Sequence, residues 1–201
     1  MKALIIVDMQ KDFLPGGSLA VEGGDVIIPI INDLQNKFEL VVATQDWHPK
    51  DHGSFASNHE GKNPRDVIDL NGLEQILWPD HCVQNSEGAN FADDLDMTRV
   101  EAIIRKGMDA GIDSYSGFYD NGHKKSTGLA DYLRGRNVNE VFVCGLAGDV
   151  CVNFTSMDAI EEGFKTYLLV DATRPVNMEE FENVVENLQK KGVQSVQSKN
   201  I

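Results

Sequence analysis

Short segments dense in valine, isoleucine and leucine recur along this chain, at residues 3–7, 40–44, 100–104, 140–144 and 166–170, with a less marked one at 193–196. Continuous apolar runs of this length suit strands buried on both faces, as in a parallel sheet, and parallel neighbours must be joined by crossover connections. Amphipathic stretches at residues 24–37, 126–135, 149–163 and 178–191 supply those crossovers. The expected fold is therefore α/β, with a six-stranded, mainly parallel sheet inside three α/β/α layers. Ser126 and Asp149 stand where helix N-caps are expected, and Gly135, Gly163 and Gly192 where helices should end.

A chain of 201 residues is expected to form one domain and to bury roughly 70% of its unfolded surface without a disulfide or structural metal. Its three cysteines, Cys82, Cys144 and Cys151, are odd in number and scattered, which points to reduced thiols and a cytoplasmic protein. The opening strand reaches Asp8 too soon for a signal peptide, and no apolar run approaches the ~18 residues of a membrane span. A net charge of −14 argues against nucleic acid or an anionic membrane as partner and favours small neutral or cationic ligands.

Residues 45 to about 95 break the alternation, being rich in His, Asp, Asn, Gly and Pro. A loop that long in a compact domain is functional or disordered, and Trp47 and Trp78 argue for order. In an open parallel sheet, ligands gather outside the carboxyl ends of the strands. Asp8 follows the first strand, Asp46 and His48 the second, Lys106 the third, and Cys151 the turn after the fourth. Four strands thus deliver reactive groups to one edge.

Cys151 falls in the opening turn of a helix, after Gly145-Leu146-Ala147-Gly148-Asp149-Val150. Unpaired N–H groups and the helix dipole there favour a thiolate, lowering the thiol from about 8.5, and the same N–H groups can hold an oxyanion. The competing reading is a small apolar core residue. Asp8 would be the base for the thiol, and Lys106 the cation that pairs with both anions.

Asp46 and His48, one residue apart on an extended segment, point the same way, and His81 can close one face of an ion between them. One carboxylate and two imidazoles suit Zn²⁺, Fe²⁺ or Mn²⁺. Cys82 adjoins His81 but points away from it and is read as structural, and Cys144 as core. His123 reads as a solvated turn residue, and Pro15-Gly16-Gly17-Ser18 as a turn rather than a phosphate loop. Phe13, Trp78 and Tyr115 could form a slot for a flat ring.

Several motifs in order resemble the nicotinamidases, also called pyrazinamidases, of the isochorismatase-like cysteine hydrolases. They are Ile6-Val7-Asp8-Met9-Gln10-Lys11-Asp12-Phe13, Asp46-Trp47-His48-Pro49, Trp78-Pro79-Asp80-His81-Cys82-Val83, Lys106-Gly107, Ser114-Tyr115-Ser116-Gly117-Phe118 and Gly145 to Val152. The resemblance implies hydrolysis of nicotinamide to nicotinate and ammonia, a step of NAD salvage, with pyrazinamide as a further substrate. It implies attack by Cys151, proton transfer by Asp8, ion pairs kept by Lys106, and an acyl thioester. It also implies an oxyanion hole from the N–H groups of Ala147 and Cys151, with a cis peptide before Ala147. Phe13 and Trp78 would sandwich the ring and Tyr115 would line the wall. One divalent ion on Asp46, His48 and His81, zinc first and iron or manganese next, would bind the ring nitrogen. His52, Ser54, His59 or water could complete its shell. Relatives range from monomers to larger assemblies, so a homo-oligomer is compatible with the resemblance. Two rival readings are an amidase of a carbamoyl or ureido substrate and a noncatalytic metal- or pyridine-binding protein.

Overall fold

The computed structural model describes residues 1–201. Its elements run β1 (Lys2–Val7), α1 (Ile28–Gln35), β2 (Leu40–Asp46), β3 (Val67–Leu70), β4 (Leu73–Ile76), β5 (Val100–Lys106), α2 (Leu129–Gly135), β6 (Glu140–Leu146), α3 (Cys151–Glu161), β7 (Lys165–Arg174), α4 (Met178–Lys190) and β8 (Gln194–Val196). Six strands form one sheet in the order β5-β2-β1-β6-β7-β8, and every neighbouring pair is parallel.

Alternation along β1 explains the layers. Leu4 and Ile6 enter one apolar cluster with Ile28, Ile31 and Leu34 of α1, while Ala3, Ile5 and Val7 enter another with residues of α2, α3 and α4. Helices therefore cover both faces, and the central strands are buried throughout. The chain builds outward through β2 and β5 on one side of β1 and through β6, β7 and β8 on the other. The order reverses between β1 and β6, so a crevice opens beyond their carboxyl ends. No helix is long and apolar enough to cross a membrane.

Three of the expected caps lie elsewhere. Gly128, with φ +88°, is the N-cap of α2, and Ser126 Oγ accepts its N–H at 3.0 Å. Cys151 is the first residue of α3, and the Asp149 carboxylate instead accepts the N–H groups of Val176 and Asn177. Gly135 closes α2 as a helical residue, and the left-handed turn comes at Asn137. Gly163 and Gly192 do follow α3 and α4 in left-handed conformations. The segment 45–95 contains a hairpin that its composition hides: β3 and β4 pair antiparallel through Asn71-Gly72, both at positive φ, as a two-residue turn requires. Phe55 and Leu77 are fully buried, and Phe55 packs against the rings of His48, His52 and His81 within the same segment.

Candidate active site

Asp46 and Lys106, the last residues of β2 and β5, are partners in register, and this places the ammonium group beside the carboxylate. Lys106 is the hub of the site. Its Nζ lies 2.8 Å from Asp8 Oδ2 and 2.5 Å from Asp46 Oδ1, donates to the Ser114 carbonyl at 3.0 Å, and stands 3.5 Å from Cys151 Sγ. Burial opposes its charge, but the Asp46 and Asp8 carboxylates outweigh that and hold it well above the usual lysine value. Asp8 follows β1 with φ +47°, and Thr44 Oγ1 donates to its Oδ1 at 2.6 Å.

The two carboxylates on Lys106 differ. Burial raises Asp8 to about 6, with Lys106 offsetting only part of it. Burial acts on Asp46 as well, but Lys106 and His48 together hold its carboxyl far below the usual range. The Cys151 thiol departs from the expected thiolate: burial pushes it well above its ordinary value, Lys106 counters in part, and Asp8, Asp46 and Asp113 add to the rise. At neutral pH the site therefore holds a protonated sulfur and an ionised Asp8, whose carboxylate oxygen lies within 4.8 Å of it. The arrangement suits proton transfer during attack rather than a standing thiolate.

Across the pocket, one ligand atom from each of Asp46, His48 and His81 lies within 4.8 Å of the others. His48 Nδ1 faces the Gly107 carbonyl at 2.9 Å and His81 Nδ1 the Pro79 carbonyl at 2.7 Å. A carbonyl can only accept, so Nδ1 carries a proton in both rings and Nε2 is the atom left to ligate. Burial opposes charge on His48, but the Asp46 carboxylate outweighs it and raises this ring above the usual histidine value, so a cation would take the place of a proton on its Nε2. The two Nε2 atoms stand 3.6 and 3.9 Å from Asp46 Oδ2. A Cβ on Gly107 would lie 2.3 Å from the His48 ring, so only glycine lets that ring reach its place. Burial lowers His81 to about 4, leaving it neutral and able to ligate. The residues fit a divalent cation, and His52 strengthens the fit: its Nδ1 meets Ser54 Oγ at 2.7 Å, while its buried Nε2 has no partner. His52 groups with His48 and Asp113 rather than with Asp46 and His81. His59 Nε2 instead faces the Gly53 carbonyl at 2.8 Å.

One pocket joins Cys151 to the group Asp46, His48 and His81, and Phe13, Trp78, Tyr115 and Ala147 all border it. Trp78 Nε1 and Gln75 Nε2 donate to the Tyr115 hydroxyl at 3.2 and 3.0 Å, which fixes that ring. The peptide bond Leu146–Ala147 is cis. In the turn that follows, the N–H groups of Gly148, Val150 and Val152 donate to carbonyls, whereas those of Ala147 and Cys151 have no acceptor. Cys82 and Cys144 sit in the apolar core. His123, half exposed, pairs with Asp158 at 3.2 Å, so it is more than a solvated turn residue, yet it stands apart from this pocket.

Sequence reasoning missed Asp113, Leu19, Val21, Val150 and Val176 in the pocket lining. Asp113 adjoins Ser114-Tyr115, a signal that could have drawn attention to it. Val150 adjoins Cys151 in the same way, and the other three carry no such mark.

Residues 2–199 match the isochorismatase domain model. The chain belongs to the isochorismatase family. Within that family it is 46% identical over 200 residues to the nicotinamidase of Acinetobacter baylyi, covering 99% of this chain and 94% of the relative. A solved nicotinamidase/pyrazinamidase of Acinetobacter baumanii superposes with a TM-score of 0.96 at 46% identity, covering 99% and 97% of the two chains. PnC1 of L. infantum, solved with nicotinate, gives 0.88 at 42% identity over 99% and 93%. The Pyrococcus horikoshii pyrazinamidase, solved with zinc, gives 0.81 at 40% identity over 98% of each. The parallel six-stranded sheet is thus the isochorismatase-like α/β fold of these structures.

Proposed function

We propose that this isochorismatase-family chain is a metal-dependent nicotinamidase, hydrolysing nicotinamide to nicotinate and ammonia in NAD salvage and accepting pyrazinamide as well. The observation that carries the reading is one pocket bordered by Cys151, whose sulfur is backed by the buried pair Lys106 and Asp8, and by the group Asp46, His48 and His81. It works as a single domain over residues 1–201, in which the insertion at about 45–95 brings His48, Trp78 and His81 to the strand ends. Three unpaired cysteines suit a reducing, cytoplasmic setting.

Cys151 Sγ attacks the amide carbon while its proton passes to Asp8. The oxyanion that forms is met by the free N–H groups of Ala147 and Cys151, which are arranged before the reaction begins. Asp8 then gives its proton to the departing ammonia, and the acyl group is left as a thioester on sulfur. A water that loses its proton to Asp8 cleaves the thioester and releases nicotinate. Throughout, Lys106 keeps its positive charge between the acids and the sulfur. A divalent ion held by Asp46, His48 and His81, zinc by preference and iron or manganese as alternatives, would supply a fixed anchor for the ring nitrogen. Phe13 and Trp78 hold the ring flat and Tyr115 closes the wall, so the amide stays at attacking distance. Incubating zinc-replete protein with nicotinamide should yield equal amounts of nicotinate and ammonia. The absence of both products would refute the reading.

A further inference from the structure

One pocket wall comes from just past the end of β7. Val176 borders the pocket from the short connection between β7 and α4, and its side chain is 39% exposed, so core packing does not hold it in place. Its N–H and that of Asn177 donate to the two oxygens of Asp149, at 2.9 and 2.8 Å, and neither has another acceptor. Beside this clamp, the Gly148 N–H donates to the Arg174 carbonyl at 2.8 Å, and a Cβ on Gly148 would stand 2.6 Å from the Phe181 ring. The turn that carries the nucleophile is therefore also the fastening for the wall beside it. Two backbone N–H groups on one carboxylate make a charge-assisted clamp, stronger than bonds between neutral groups.

We propose that Asp149 is a positioning residue whose carboxylate latches residues 176–177 onto the nucleophile turn, so that Val176 sets how bulky a ring is admitted beside Cys151. The inference rests on the nicotinamidase reading for its substrate but not for its geometry. With the latch removed, Val176 is free to swing outward and the mouth widens for flat reagents more than for small ones.

The test alkylates Cys151 with iodoacetamide and with N-phenylmaleimide in wild type, Asp149→Ala, Asp149→Asn, Val176→Ala and the Asp149→Ala/Val176→Ala pair. Cys82 and Cys144 are fully buried, and Cys151→Ala gives the background. Asp149→Ala should raise the ratio of the bulky to the small rate by roughly fivefold to tenfold. Val176→Ala should raise it too, the pair no further than the larger single change, and Asp149→Asn, which keeps one acceptor oxygen, by less. Equal changes in both rates, or effects that multiply in the pair, would overturn the latch. Should Asp149→Ala not fold, Asp149→Asn with Val176→Ala carries the same comparison. With nicotinamide, Asp149→Ala should raise KM while kcat stays within about twofold, and a fall in kcat alone would also overturn it. Wild type inactive on nicotinamide would refute the substrate reading and leave the alkylation ratios to decide the latch.

Discussion

Around Cys151 each charged group already has a protein partner, whereas around His48 the buried ring nitrogens face one another and a carboxylate. On the first side, Lys106 meets two acids, a carbonyl and the sulfur, and Thr44 completes Asp8. On the second, the Nε2 atoms of His48 and His81 point at Asp46, and His52 Nε2 has no partner. The thiol side is thus assembled by folding, while the imidazole side is arranged to receive a cation. One residue, Asp46, belongs to both, pairing with Lys106 through Oδ1 and facing the imidazoles through Oδ2.

The sharpest break in this comparison is Cys151→Ala. It should lower kcat by about 10⁴-fold or more while nicotinate still binds, since the opposite side is untouched. Loss of binding as great as the loss of turnover would show that the two sides are not separable. Lys106→Met comes next: it leaves Asp8 and Asp46 buried without their shared cation, at a cost of about 3–5 kcal/mol in unfolding free energy by denaturant titration. A cost under about 1 kcal/mol would mean that the thiol side is not held by this hub. His48→Ala should weaken zinc binding by at least about 100-fold in equilibrium dialysis and leave iodoacetamide alkylation of Cys151 near the wild-type rate. Unchanged metal content would remove His48 from the ligand set.

Titration separates the sides further. Burial raises Asp8 from its ordinary 3.8 to about 6, so its ionised form is unfavourable in the folded protein and acts as base only above that value. Turnover should therefore fall about tenfold per pH unit below about 6. Stability should move the other way: the penalty of burying this charge is fully present above about 6 and is relieved as pH drops toward 3.8. Comparing wild type with Asp8→Asn by thermal melting isolates this contribution, and the gap between them should narrow on acidification. A gap that widens would contradict burial as the cause.

The strand ends were legible because apolar runs locate strands, and parallel strands present their next residues at one edge. Asp8, Asp46, Lys106 and Cys151 follow from that rule alone. The thiol's acid strength did not follow, because a helix N-terminus is a local feature whereas the burial and three acids that oppose it come from distant segments. Asp149 misled for a similar reason. Its type and position suit an N-cap, yet its acceptors are taken by N–H groups at the start of the next crossover. The hairpin β3–β4 and the pocket residues Leu19, Val21 and Val176 depend on how long loops return to the body, which periodicity does not record.

The histidines of the insertion give the finest test, because composition treats them alike and hydrogen bonding does not. His59 is half-buried with Nε2 on the Gly53 carbonyl, which requires that nitrogen to carry the proton and denies it to a metal. His52 is fully buried, bonds Ser54 through Nδ1 and keeps Nε2 without a partner. His59→Ala should therefore cost only about 1 kcal/mol of stability, the worth of one hydrogen bond, and leave zinc affinity unchanged. His52→Ala should weaken zinc binding measurably, though less than His48→Ala, because His52 groups with His48 and Asp113 rather than with Asp46 and His81. If His59→Ala strips the metal while His52→Ala does not, then the imidazole side closes around its ion through a rearrangement of residues 52–59, and the claim that it stands ready before binding fails.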